Sequence, residues 1–167
     1  MHKLFVFDEY NLKVKWSMVF WYLLDIESEL MGFTLELLPN EPILITTGKG
    51  LLVAQDFADM FRESARLFNG MDQTIYRISD FREASSSFMD LIRMSQMASK
   101  GNVGTTTDPR IKAILVGSTH WVSLARTIFE QPQYSAMRLP TLENMDDALV
   151  YARAQIANQS AKVSVDV

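Results

Sequence analysis

Ile111–Val116 reads I-K-A-I-L-V, and Gly117-Ser118-Thr119 follows it without a break. A run this short, apolar on both sides apart from Lys112, is the pattern of a strand covered on both faces, as in a parallel sheet. Gly117 supplies a turn, and Ser118 and Thr119 offer hydroxyls at the start of a helix. Behind them Leu124, Ala125 and Ile128 recur at helical spacing, and Pro132 terminates the helix. A buried strand that runs through a short turn into an amphipathic helix is the building unit of an α/β fold.

The same unit repeats on either side. Upstream, Thr74–Ile78 (T-I-Y-R-I) reads as a strand ending at Ser79-Asp80, and Ser85-Ser86-Ser87 precedes a helix with Phe88, Leu91, Ile92, Ser95 and Ala98 on one face. Gly101 stops that helix, and the polar stretch Gly101–Pro109 is a loop. Earlier still, Val53, Phe57, Met60, Phe61 and Phe68 mark a helix over about 51–69, closed by Asn69-Gly70. Phe33–Leu38 and Ile43–Thr47 are two strands joined through Pro39-Asn40-Glu41-Pro42, a hairpin-like turn. Gly48-Lys49-Gly50 has no phosphate-loop spacing and reads as the turn from strand to helix. Downstream, Ala136–Leu139 is a short fifth strand. Asn144 caps a last helix carrying Met145, Ala148, Leu149, Ala152 and Ile156 inward.

The order β-β-α-β-α-β-α-β-α requires crossover connections and therefore a mainly parallel sheet, made mixed by the leading hairpin. The fold class is α/β, with one five-stranded sheet and helices packed on it. Residues 31–158 form this domain, residues 159–167 read as a flexible tail, and residues 1–30 as an N-terminal extension. The apolar run Trp16–Leu24 is too short to span a membrane, and Asp25, Glu27 and Glu29 stand where a signal cleavage site would be. Three readings of 1–30 stay open: an extra helix on the domain, a segment upstream of a start at Met31, or membrane-surface contact through residues 13–24.

Composition removes several chemistries. The chain has 167 residues and no cysteine, so disulfides, thiolate catalysis and sulfur-bound zinc are excluded. That suits a cytoplasmic protein. His2 and His120 are the only histidines, too few for a histidine metal centre, and no calcium-loop motif occurs. The net charge of −4 gives no basic footprint for nucleic acid. No cofactor motif appears, and no catalytic or metal site is recognised.

In an open α/β sheet, ligands bind beyond the carboxyl ends of the strands. Among the junctions there, Gly48–Gly50, Ser79–Ser87, Gly117–His120 and Leu139–Asn144, the serine cluster stands out. Serine before a helix ordinarily caps it, and Ser87 with Asp90 three residues on resembles a capping box. Three serines exceed what one cap needs, and a phosphoryl group there would meet free amides and a favourable dipole. On that reading Ser86→Asp is tolerated within about 1 kcal/mol. A hydrolase would instead bring Ser86, His120 and Asp80 together, but no nucleophile elbow is present, and a first-turn histidine is ordinarily just exposed.

The stretch I-S-D-F-R-E-A-S-S-S-F, Ile78 to Phe88, with the surrounding strand–helix order, resembles the STAS domains of the anti-sigma-factor antagonists. It is still more similar to divergent, uncharacterised STAS-like bacterial proteins, over roughly Phe33 to Ile156. In the antagonists a strand ending in D-L-S is followed by D-S-S-G at a helix start, and a partner kinase phosphorylates the first serine. Asp80-Phe81 falls on D-L, Ser85 on the second aspartate, Ser86 on the phosphorylated serine, Ser87 on the second serine and Phe88 on the glycine. The resemblance implies a non-enzymatic regulatory or protein-interaction module, in its finer form a phosphoserine switch built on Asp80, Ser85, Ser86 and Ser87. A protein partner or self-association is the expected interaction. The alternative is a module of the same fold that holds a small apolar or lipid-like ligand.

Overall fold

The computed structural model describes residues 32–163. Its strands are β1 (Phe33–Leu37), β2 (Ile43–Leu52), β3 (Ile75–Ser86), β4 (Ile111–Val116) and β5 (Thr141–Leu142). Its helices are α1 (Ala54–Leu67), α2 (Phe88–Ala98), α3 (His120–Phe129) and α4 (Met145–Val163). The sheet order is β1-β2-β3-β4-β5. β1 pairs antiparallel with β2, from Phe33↔Gly48 to Leu37↔Leu44, and every other pair is parallel. This is the mixed, mainly parallel sheet that the strand–helix alternation requires.

Each crossover steps one strand in the same direction, so a constant right hand puts α1, α2 and α3 on one face of the sheet. The core of that face joins Phe57, Met60 and Phe61 of α1, Leu91 and Met94 of α2, and Trp121, Val122 and Ala125 of α3 to β-strand residues such as Leu44, Ile75 and Leu115. α4 comes after the last strand and covers the opposite face, where Ala148 and Ala152 meet Ile43, Ile78, Ile114 and Val116. The small alanines let the helix lie close to the sheet. Ile114, Leu115 and Val116 are all buried, as expected for a strand covered on both faces, each side chain worth roughly 1.5–3 kcal/mol of transfer free energy.

Several boundaries differ from the sequence reading. Gly48-Lys49-Gly50 is not a turn: β2 continues through it to Leu52, because β3 offers a partner along the whole length. The third strand is correspondingly longer, running to Ser86 and not to Ile78. The fifth strand is Thr141–Leu142 and not Ala136–Leu139. Pro140 explains the shift, since it has no N–H to give to the carbonyl of Ala113 on β4. α4 is helical through Val163, where a tail was expected from 159. The expectations for residues 1–30 fall outside the described residues.

The loop 101–110 closes the amino end of the sheet around a buried cation. Arg77 of β3 is fully buried, and its two terminal nitrogens donate to the Gly104 carbonyl (2.7 Å) and the Thr106 hydroxyl (2.7 Å). Its guanidinium lies 5.3 Å from the centre of the Phe61 ring. Burial lowers its pKa to about 10, opposed by the charge of Asp108. Asp108 itself accepts from the Gly104 amide (2.9 Å) and from Arg110. Gly104 sits at φ 82° with the α1 backbone so near that a Cβ there would meet the Phe61 carbonyl at 2.3 Å. Only glycine fits that position.

Candidate functional site

β4 stops at Val116, opposite Asp80, but β2 and β3 pair for six further residues of β3, ending at Leu52↔Ser86. The two strands therefore project as a ribbon beyond the sheet and lead directly into α1 and α2. A bulge falls at the point of departure: the register moves between Thr47 and Lys49 so that β3 holds one residue more than β2. Asp80 stabilises this bulge. Its carboxylate accepts from the Arg82 amide (3.1 Å) and takes the Arg82 guanidinium at 2.9 Å and 2.7 Å. Burial works to raise the Asp80 pKa, but the Arg82 side chain and amide outweigh it and hold the carboxyl below its usual range.

At the ribbon's end the three serines have three different roles. Ser87 is the N-cap of α2: its hydroxyl oxygen accepts from the Asp90 amide (3.0 Å) and its proton goes to the Asp90 carboxylate (2.5 Å). Ser86 belongs to β3 and not to a helix start. Its half-buried hydroxyl donates to the Leu52 carbonyl of β2 at 2.7 Å. Ser85 points to the other side of the strand and is exposed, with a long 3.5 Å contact to the Gly50 carbonyl.

Asp90 joins the two helix starts. Besides its bonds with Ser87, its carboxylate accepts from the Ala54 amide of α1 at 3.2 Å. The Ser87 hydroxyl, then the Ala54 amide, lower its pKa, with Arg93 adding a weaker pull. The Val53 amide is served separately by Asp56 at 2.8 Å. A carboxylate thus already occupies the place between the two helix amino ends where an incoming anion would gain most.

Not all the residues singled out from the sequence come together. Ser85, Ser86 and Ser87 do, but Asp80 lies six residues back along an extended strand, roughly 18 Å from Ser86. His120 is the exposed first residue of α3, capped by Thr119. The Asp80 carboxylate is held by Arg82 and the Ser86 hydroxyl by Leu52, so the arrangement of acid, histidine and serine that hydrolysis would use is not assembled. Among the described residues there is no group of three histidine or acidic side chains able to hold a metal ion. Arg62 and Arg66, one turn apart on α1, are paired to Asp59 and Glu63 on their own helix and form a solvated face.

The sequence reading missed the apolar surface around the serines. Phe88, which shares one helix face with Leu91, Ile92, Ser95 and Ala98 by spacing, is 58% exposed, with Met89 at 56%. Leu51, the strand partner of Ser85, is 71% exposed, and Val53 42%. The available signal was local: in Leu51-Leu52-Val53 strand alternation buries only Leu52, and Phe88-Met89 opens a helix at its capped end, where both side chains stay exposed. Inside the domain, by contrast, the cavity beneath α1, α2 and α3 measures only about 20 Å³. Among the described residues, Arg77 Nε and Trp121 Nε1 find no hydrogen-bond partner there.

No protein-family profile and no curated protein sequence matches the chain. Solved structures do. An uncharacterized protein of the DUF3478 family with a SpoIIAA-like fold, from Shewanella loihica PV-4, is similar over 72% of this chain and 91% of its own length, with a TM-score of 0.50 at 15% identity. Weaker likenesses are to the anti-sigma factor antagonist SpoIIAA in its unphosphorylated form (12% identity, 74% and 97% covered, TM-score 0.47) and to an anti-sigma factor antagonist from Mycobacterium paratuberculosis (12%, 72% and 94%, TM-score 0.40). The five-stranded mixed sheet with four helices is a SpoIIAA-like fold, the fold that the resemblance to STAS domains implies.

Proposed function

We propose that this chain is a non-enzymatic regulatory or protein-interaction module whose partner-facing surface is the serine end of the β2–β3 ribbon. The observation that carries this reading is the set Leu51, Val53, Phe88 and Met89, apolar side chains each exposed at the end of the ribbon that carries Ser85–Ser87. Exposed apolar groups gathered at one place and rimmed by polar ones are the usual mark of a contact surface. The SpoIIAA-like fold agrees with it. A cytoplasmic setting goes with this reading. Among the described residues no helix is long and apolar enough to cross a membrane.

The finer form is a switch at Ser86. A partner kinase would transfer the γ-phosphoryl group of a nucleoside triphosphate to the Ser86 oxygen, the nucleoside diphosphate leaving and the hydroxyl proton that now bonds the Leu52 carbonyl being released. The added charge, about −1.5 to −2, would face Asp90, which already holds the Ala54 amide. The modification would loosen the entry to α1 and rearrange the apolar surface beside it. Asp80 acts at a distance here, by fixing the bulge from which the ribbon departs.

The alternative, a carrier of a small apolar or lipid-like ligand, asks for a closed apolar pocket of some hundreds of Å³. The core cavity of about 20 Å³ is closer to the size of one water, which is why the interaction reading comes first. The test is affinity capture from source-cell extract with the wild type, the double variant Leu51→Glu/Phe88→Glu, and Ser86→Asp. A partner, or a second copy of the chain, should be retained by the wild type and lost by the double variant. Equal capture by both overturns the assignment of the surface. Native mass spectrometry that finds a retained apolar small molecule would bring the alternative forward.

A further inference from the structure

The edge of the sheet at β4 is only partly covered, and the reason is one proline. β5 pairs with β4 at Leu115 and Val116 alone. The Leu115 amide donates to the Pro140 carbonyl and the Gly117 amide to the Leu142 carbonyl, both at 2.8 Å, so alternate residues of β4 direct their backbone groups outward. Ala113 is the next in that series. A parallel ladder would have residue 140 donate to the Ala113 carbonyl, and Pro140 has no N–H. Among the described residues no backbone bond from 136–140 reaches Ala113.

A groove opens at this place. Its volume is about 420 Å³, and it is bordered by Ile111–Ile114 on one side and Met137–Pro140 on the other, with Tyr76, Tyr151, Gln155 and Gln159 also lining it. Among the described residues, its charged lining is Lys112 and Arg138. Both are exposed, and neither is in a salt bridge among the described residues. In a chain of net charge −4 this is a local positive site.

We propose that the β4 edge binds an extended acidic peptide segment, which adds as a strand and supplies the backbone partners that Pro140 withholds from Ala113. Ile111 to Ile114 spans about 13 Å of β4. The Ile111 amide is already given to the Asp108 carbonyl at 2.8 Å, so the segment docks on the backbone groups of Ala113. Main-chain bonds to Ala113 give such a segment its register, and side chains of alternate residues meet the groove. Lys112 and Arg138 select for carboxylates on the segment and against basic sequences. The site involves the amino half of β4 and is separate from the serine ribbon at the carboxyl ends of β2 and β3, so it stands whether or not that surface takes a partner.

The test is fluorescence anisotropy on the full chain with a panel of labelled, end-blocked eight-residue peptides in which Asp or Glu alternates with Val or Thr. At least one should bind saturably. That binding should weaken tenfold or more in Lys112→Glu/Arg138→Glu, with Lys in place of the acidic peptide residues, and with alternate peptide amides N-methylated. Leu51→Glu/Phe88→Glu should leave it unchanged, which separates this site from the ribbon surface. Circular dichroism and melting of the charge-reversal variant, whose changes are both at exposed positions, check that the fold is intact. Absence of saturable binding across the panel, or binding indifferent to N-methylation, overturns the proposal. Competition by citrate that removes the peptide at equal concentration would mark a small-anion site and overturn it as well.

Discussion

Ser86→Asp and Ser86→Ala together test how the serine end is built. The Ser86 hydroxyl donates to the Leu52 carbonyl at 2.7 Å in a half-buried place. Alanine removes that bond and little else, a loss of about 0.5–1.5 kcal/mol. Aspartate at neutral pH is an acceptor only, so it loses the same bond and turns an oxygen toward the Leu52 carbonyl. It also adds charge near Asp90, whose carboxylate already serves the Ala54 amide. Attraction to the helix amino ends returns about 0.3–1 kcal/mol, less than the unpaired carbonyl and the repulsion take away. Ser86→Asp should therefore cost about 1–3 kcal/mol, more than Ser86→Ala, and contrary to the tolerance expected if Ser86 stood at a helix start. Urea unfolding at pH 7, with an unchanged slope, would show this as an earlier midpoint. The melting temperature should fall by about 4–10 °C for a domain of this size. An aspartate variant as stable as the wild type would refute the reasoning, because it would mean that the carboxylate finds helix amides and that the bond to Leu52 does not hold the junction.

Other outcomes follow from the same geometry. Ser87→Ala removes both the acceptor for the Asp90 amide and a donor to its carboxylate, so it should cost about 1 kcal/mol in urea unfolding; a loss below about 0.3 would displace Ser87 as the cap. Arg77→Met should change stability by no more than about 2 kcal/mol, since relief of the burial that lowers the Arg77 pKa offsets the two bonds lost, whereas Arg77→Ala adds a cavity and should cost about 3–5 kcal/mol; equal losses in the two would refute that balance. Asp80 is held below its ordinary pKa, so its contribution is present above pH about 4 and lost as the pH falls toward its folded value. Asp80→Asn should lower the melting temperature at pH 7 and flatten its fall below pH 4, and parallel pH profiles for variant and wild type would contradict this. Gly104→Ala should destabilise by more than about 2 kcal/mol in the same assay, because its Cβ would run into the α1 backbone; a neutral result would mean that the loop stands off from α1.

Local pattern determined the class of fold and most of its elements. The apolar run Ile111–Val116, the helical spacing of Phe57, Met60 and Phe61, and the stops at Asn69-Gly70 and Pro132 depend on residues close in sequence, and so they are legible there. Ser87 as a cap is equally local, a hydroxyl three residues before the amide and carboxylate it meets. The lengths of β2 and β3 were not legible. Gly48-Lys49-Gly50 looks like a turn until β3 lies alongside to pair with it, and Ser86 looks like part of a helix start until Leu52 accepts its proton. The exposure of Leu51 and Phe88, the separation of Asp80 from the serines, and the opening beside Ala113 are likewise long-range facts. Sequence periodicity determines which face of an element is apolar. Which of those faces finds a partner, and how far a strand continues, is decided by hydrogen bonds and packing between segments distant in the chain, and therefore by the tertiary structure alone.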